Sequence, residues 1–202
     1  MEWFENKDFV NLVKTKLPKL FRLAELETMR GGKIGMEVGV LRERILTAFI
    51  IKCFGKENVK SDFSSTENSK DIKVFEDVLS IKTFTNNGFG GVKVFWASDN
   101  ESVKKAVEIY KPQNHLLISN IKWNKTDNGL FLIPLHVQNE ILEKNGLSNY
   151  LKINSGNNRG ISFQTETFKS LLGHADTKKI QINWELPIID FDVYDRWIKE
   201  ID

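Results

Sequence analysis

The chain has 202 residues, one cysteine and a formal net charge of +2, with 41% of its positions hydrophobic. That is enough for one domain with its own core, and it excludes a disulfide-stapled mini-protein, a histone-like polycation and a disordered tail. The longest apolar stretch, residues 45–51, is far short of a membrane span, and the opening MEWFENKDF lacks the basic-then-apolar order of a signal peptide. A cytoplasmic protein with no membrane partner is expected. The charge is uneven: residues 185–202 hold six acids against Arg196 and Lys199, which leaves +6 on the first 184. A basic body can take a polyanion on one side, although an ordinary solvated surface accounts for it equally.

Residues 6–29 read as a helix, with Phe9, Leu12, Val13, Leu17 and Leu20 near helical spacing and Pro18 as a break or kink. A glycine-rich connection, 31–36, leads into a helix over 37–53 whose main apolar stripe is Val38, Leu41, Ile45 and Phe49, and which Gly55 stops. A short strand at 59–63 and a polar loop precede two strands, 71–75 and 78–84, joined at Glu76 and Asp77. After a loop at 86–91, residues 92–97 read as a third strand. A helix over 101–110, capped by Ser98 or Asp99, and a strand over 116–123 follow. The order from residue 37 to 123 is thus α-β-β-β-α-β. Beyond it, Asp127-Asn128-Gly129 predicts a hairpin turn into a strand over 130–137. A helix over 138–144, a polar loop at 154–160, a helix near 167–172, a strand over 179–186 and a helix over 192–201 complete the chain. Trp96, Trp123, Trp184 and Trp197 fall within these elements and are expected in the core.

The hairpin carries the chemistry. With a two-residue turn at Glu76 and Asp77, cross-strand partners sum to 153, and Asp71 faces Lys82 with Ser80 on the same face. Ile72, Val74, Leu79 and Ile81 form the opposite, apolar face. Such an opposed pair is also an ordinary stabilising device worth under about 1 kcal/mol. An acid in the preceding helix adds weight: Glu43 shares a stripe with Leu46 and Ile50, and a carboxylate projecting partly inward needs a partner or a metal.

On these residues the chain resembles the type II restriction endonucleases of the PD-(D/E)XK superfamily. The signature reads Asp71 … Ser80-Ile81-Lys82, with serine where the motif usually has an acid and with Glu43 supplying that acid from the helix. The set Glu43, Asp71 and Lys82, with Met36 seven residues before the glutamate, looks like that of members cutting CG/CG. The resemblance implies an α/β restriction-endonuclease-like fold, a mixed sheet flanked by helices. It implies one endonuclease domain over 1–202, with the core at about 37–123 and a C-terminal α+β elaboration for DNA recognition and dimer contacts beyond it. It also implies Mg²⁺ held by Glu43, Asp71 and the Ile81 carbonyl, with Lys82 acting on the attacking water, and blunt cutting of double-stranded DNA by a homodimer paired with a cognate DNA methyltransferase.

Met36, beside Gly35, then reads as an apolar wedge inserted from the minor groove at a pyrimidine–purine step, with Arg30 and Lys33 near phosphates. It is also readable as a core residue at a helix start. Asn157, Asn158 and Arg159, in the polar loop, have donors and acceptors suited to base edges, or form a solvated turn. The literal D/E-x-K strings at Asp71, Asp176 and Glu5 are incidental. A repair or junction nuclease on the same scaffold and a non-catalytic DNA-binding module are the alternatives.

Overall fold

The computed structural model describes all residues except 64–69, 86–91, 97–98, 127, 154–159 and 202. A 3₁₀ turn over Glu2–Glu5 leads into helix α1 (Lys7–Thr28), whose first N–H groups, those of Asp8 and Phe9, donate to the Asn6 side chain at 3.0 and 3.1 Å. Pro18 does not break α1. Phe9, Val13, Leu17 and Phe21 are buried on both sides of it, and that shared face offsets the roughly 3 kcal/mol a mid-helix proline costs.

The glycine-rich connection is a small hairpin of β1 (Met29–Arg30) and β2 (Lys33–Ile34), turned by Gly31 and Gly32 at φ 55 and 76. Helix α2 (Val38–Phe54) follows and ends at Gly55, φ 82. Its buried residues are Arg42, Leu46, Phe49 and Ile50, so the predicted stripe from Val38 to Ile45 is rotated toward the helix flank. Packing against α1 and the sheet together sets this rotation.

The remaining elements are β3 (Val59–Lys60), β4 (Ile72–Val74), β5 (Asp77–Thr85), β6 (Lys93–Trp96), α3 (Asn100–Glu108), β7 (His115–Ile121), β8 (Gly129–Ile133), α4 (Leu135–Asn145), α5 (Leu147–Tyr150), β9 (Leu151–Ile153), β10 (Gly160–Phe163), α6 (Thr165–Gly173), β11 (Lys178–Gln181) and α7 (Asp195–Ile201). Six strands form a mixed sheet in the order β11-β8-β7-β5-β4-β3, in which only the β5/β7 pair is parallel. Alternate residues of the central strands enter two different cores. Leu117, Leu130 and Leu132 pack with α1 and α2, whereas Leu116, Ile118, Phe131 and Ile133 pack toward α4, α6 and a second sheet. Burial on both faces explains why β8 reads as an unbroken apolar run.

Several predicted elements are corrected. Residues 93–96 do not extend the main sheet; β6 pairs with β10 in a separate sheet ordered β6-β10-β9, and β9 and β10 were not expected at all. These strands have three or four residues each, too few for a clear alternation. The strand predicted over 130–137 stops at Ile133, because Pro134 caps α4. The turn predicted at Asp127-Asn128-Gly129 includes residue 127, which lies outside the described residues; β7 and β8 pair antiparallel with Ser119 opposite Leu130, and the buried Asn128 side chain accepts from Asn120 at 2.9 Å. Strand β11 ends at Gln181; Trp184 beyond it stacks on Phe21 and is clamped by backbone bonds from Asn124 and to Lys125. Trp197 is exposed rather than core. Among the described residues, no helix is long and apolar enough to cross a membrane.

His115 joins two layers in a pH-dependent way. Its Nδ1 accepts the Leu135 N–H at 3.0 Å, which requires the neutral ring, and burial holds its pKa below 6.5 against the pull of Asp77. The unfolded chain therefore takes up the proton first, so this contribution is complete above about pH 6.5 and is lost as pH falls toward the lower folded value. Urea midpoints at pH 7.5 and 5.5 are expected to separate more in the wild type than in His115→Gln. Equal separations would remove His115 from the pH dependence.

Candidate active site

The β4/β5 hairpin turns at Phe75 and Glu76, one residue earlier than predicted. Ile72 pairs with Leu79 and Val74 with Asp77, so partners sum to 151 and Asp71 lies opposite Ser80, not Lys82. Phe75 takes φ 52 there, its N–H donates to the Asn58 carbonyl at 2.8 Å, and its ring meets Phe54 edge-on. Those two contacts to the segment before β3 outweigh the preference for a polar turn residue. A shift of two residues leaves every side chain on its predicted face. Lys82 therefore reaches Asp71 diagonally, with Nζ 3.3 Å from Oδ2.

Asp71 is fixed further by its backbone neighbours. The Ile81 N–H donates to Oδ2 at 2.6 Å, and the Asp71 N–H donates to the Leu79 carbonyl at 3.0 Å. Lys82 also donates to the Ile81 carbonyl at 2.8 Å. The result is a carboxylate, an ammonium and a carbonyl oxygen gathered at one point of the sheet. Glu43, on α2, responds electrically to both charged groups. Burial raises its pKa from 4.5 to about 7, Lys82 opposes that rise and Asp71 adds to it. No hydrogen bond reaches the Glu43 carboxyl among the described residues, and Asp71 Oδ1 is likewise unbonded there.

This donor set suits a hard divalent cation. Two carboxylates with unengaged oxygens and one main-chain carbonyl match an ion that prefers oxygen and retains waters, and nearby positive charge would return Glu43 to its ionised form. Among the described residues no group of three or more His, Cys, Asp or Glu side chains is placed to hold a metal.

The other predicted site residues lie where the β1/β2 hairpin enters α2. Met36 is 98% exposed in the turn just before the helix that carries Glu43. Gly35 fits only as glycine, because a Cβ there would lie 2.7 Å from the Thr28 carbonyl oxygen, which accepts the Gly35 N–H at 2.9 Å. Lys33 is exposed, and Arg30 sits 3.9 Å from Glu37. Asn157, Asn158 and Arg159 lie outside the described residues. The incidental D/E-x-K strings are engaged elsewhere: Lys73 pairs with Glu76, Asp176 with His136, and Lys178 with Glu5.

One group was missed in the sequence. Arg42, next to Glu43, pairs with Glu25 of α1, and the Trp123 Nε1–H donates to the same carboxylate at 2.9 Å. Glu25 also meets Arg22 at 3.2 Å, and the Arg42 guanidinium lies over the Phe21 ring. Glu25 and Arg42 are 1% and 3% exposed. Glu25 falls four residues after Phe21, on the buried face of α1, and that spacing was the signal available.

A family model described as restriction endonuclease ThaI matches residues 3–201. Among solved structures, one described as a restriction endonuclease in complex with substrate DNA superposes with a TM-score of 0.91 at 35% identity, covering 99% of this chain and 97% of that one. No curated protein matches. With its mixed sheet, its flanking helices and a match over nearly its whole length, the chain belongs to the ThaI family of restriction endonucleases.

Proposed function

We propose that the protein is a Mg²⁺-dependent type II endonuclease that cuts both strands of CG/CG to blunt ends as a homodimer, in a restriction–modification pair with a cognate methyltransferase. The observation that carries this reading is the cluster of Asp71, Lys82 and the Ile81 carbonyl beside a Glu43 carboxyl raised to about 7, on a nuclease scaffold. Glu43, Asp71 and the Ile81 carbonyl would hold the cation. Bound there, Mg²⁺ supplies Lewis acidity toward the scissile phosphate and acidifies water. Lys82 adds positive charge where the phosphate becomes more negative and orients or deprotonates the attacking water. Asp71 and Ile81 hold the ammonium in place from two directions. A palindrome has two-fold symmetry, so two copies of this site, one per strand, account for cutting both.

Sequence reading falls to the entrance of α2. An unbranched, fully exposed Met36 in the turn between the glycine-turned hairpin and α2 can enter between unstacked bases, and Arg30 and Lys33 are close enough in sequence to take flanking phosphates. Asn157, Asn158 and Arg159 are proposed for base edges. Digestion of plasmids with and without CGCG sites, in Mg²⁺ and in EDTA, tests the whole reading. Discrete Mg²⁺-dependent fragments from the CGCG plasmid alone are expected, and Met36→Ala should lower cutting at that site about 10-fold or more, the value of roughly 1–3 kcal/mol per recognised step. An intact CGCG plasmid with folded protein would overturn the assignment, and an unchanged Met36→Ala would remove the wedge.

A further inference from the structure

The last helix presents its apolar side to solvent. On α7 and the residue before it, Tyr194, Trp197, Ile198 and Ile201 recur at i, i+3, i+4 and i+7, the spacing of a buried stripe. Yet they are 66%, 57%, 53% and 83% exposed. The arm that carries them leaves the body after Leu186, whose N–H donates to Asn124 Oδ1 at 3.2 Å, and Ile188 is also fully exposed. The arm is acidic: residues 185–202 carry a net −4, and Asp195 and Glu200 border the stripe on its two sides. The family match runs through residue 201, so the arm belongs to the family's domain rather than being an appended tail.

A matching receptor lies on the body. Helices α1 and α2 enclose a groove of about 570 Å³ floored by Leu12, Leu20, Leu23 and Ile45. Lys16, Lys19 and Lys52 rim it, and no ion pair engages any of the three among the described residues. From Leu12 to Leu23 the groove is about 16 Å long, and α7 is about 10 Å long. An apolar floor with a basic rim complements an apolar stripe with acidic borders.

We propose that α7 of one copy packs into the α1/α2 groove of a second copy, so that two exchanged arms clasp the homodimer. The proposal rests on the homodimeric reading above. Two stripes of four large side chains and the two grooves that receive them together bury on the order of 1,600 Å², the size of a stable interface. Exchange of arms is isologous, so it closes at two copies and does not polymerise.

The test is the mass of the full chain in solution, by sedimentation or light scattering at several concentrations, without DNA. The wild type should be a dimer. Trp197→Ala with Ile198→Ala, both on the exposed arm, should weaken the dimer on the order of 100-fold, as loss of two central anchors does. Lys16→Glu, Lys19→Glu and Lys52→Glu combined should do the same, and adding Asp192→Lys, Asp195→Lys and Glu200→Lys to that variant should restore the dimer. Circular dichroism confirms that each variant is folded. A monomeric wild type would overturn both the clasp and the homodimer. A wild-type dimer unaffected by the arm and groove variants would overturn the clasp alone.

Discussion

Lys82→Ala should cut DNA about 10²–10⁴-fold more slowly than the wild type while binding it with nearly unchanged affinity. The ammonium is held at 3.3 Å from Asp71 and 2.8 Å from the Ile81 carbonyl, so its loss removes a fixed positive charge from the centre of the site. The protein itself should hardly notice, because a partly exposed ion pair contributes roughly 0–1 kcal/mol. Lys82→Arg separates two roles. Arginine keeps the charge but does not give up its proton, so partial activity would assign Lys82 to charge stabilisation, and none would implicate its proton or its point-like geometry. Single-turnover cleavage of a labelled CGCG duplex, alongside anisotropy for binding, makes the measurement. Cutting by Lys82→Ala at near the wild-type rate would sink the assignment.

The largest expected loss of stability lies behind the site. Glu25→Ala leaves the Arg42 guanidinium almost wholly buried with no acid, which should cost roughly 3–5 kcal/mol. Burial already pulls the Arg42 pKa down, with Glu25 opposing it, so the pair is held together against desolvation. Arg42→Met should cost less, because Glu25 keeps Arg22 and the Trp123 N–H. Replacing both residues by methionine should recover part of the loss, since the buried guanidinium is gone but Arg22 and the Trp123 N–H lose their acceptor. The pair also bears on the candidate site: Arg42 and Glu43 are neighbours on α2, so the ion pair with α1 helps fix the rotation of the helix that carries Glu43, whose carboxyl feels Lys82 and Asp71. Urea unfolding of the three variants checks this, and a Glu25→Ala protein within 1 kcal/mol of the wild type would refute it.

The shared face of the candidate site was more legible in the sequence than the architecture around it. The face carrying Asp71, Ser80 and Lys82 was legible because side chains alternate with a period of two, and an error of two residues in register moves no residue across the sheet. The turn was not legible, since what selects Phe75 is contact with Asn58 and Phe54, which are distant in the chain until the sheet forms. Glycines marked 31–36 as a connection but not as the β1/β2 hairpin, whose two left-handed backbones in succession they supply. Pro18 misled because its local cost is real but smaller than the packing of α1. The strand at 93–96 was found and misplaced: a strand's sequence records that it pairs, not with which partner. Glu25 and Arg42 were passed over because charge usually means exposure, and only the spacing of Glu25 after Phe21 hinted at a buried, paired ion.

Asp71 and Lys82 are joined by the short hairpin of β4 and β5, whereas β5 reaches its parallel partner β7 only after the long excursion through β6 and α3. The acid and lysine of the candidate site are thus joined by the shortest connection, and the sheet beyond them by the longest. Lengthening or shortening the excursion leaves the spacing of acid and lysine along the hairpin untouched. Changes in the crossover are therefore separable from the hairpin that pairs Asp71 with Lys82.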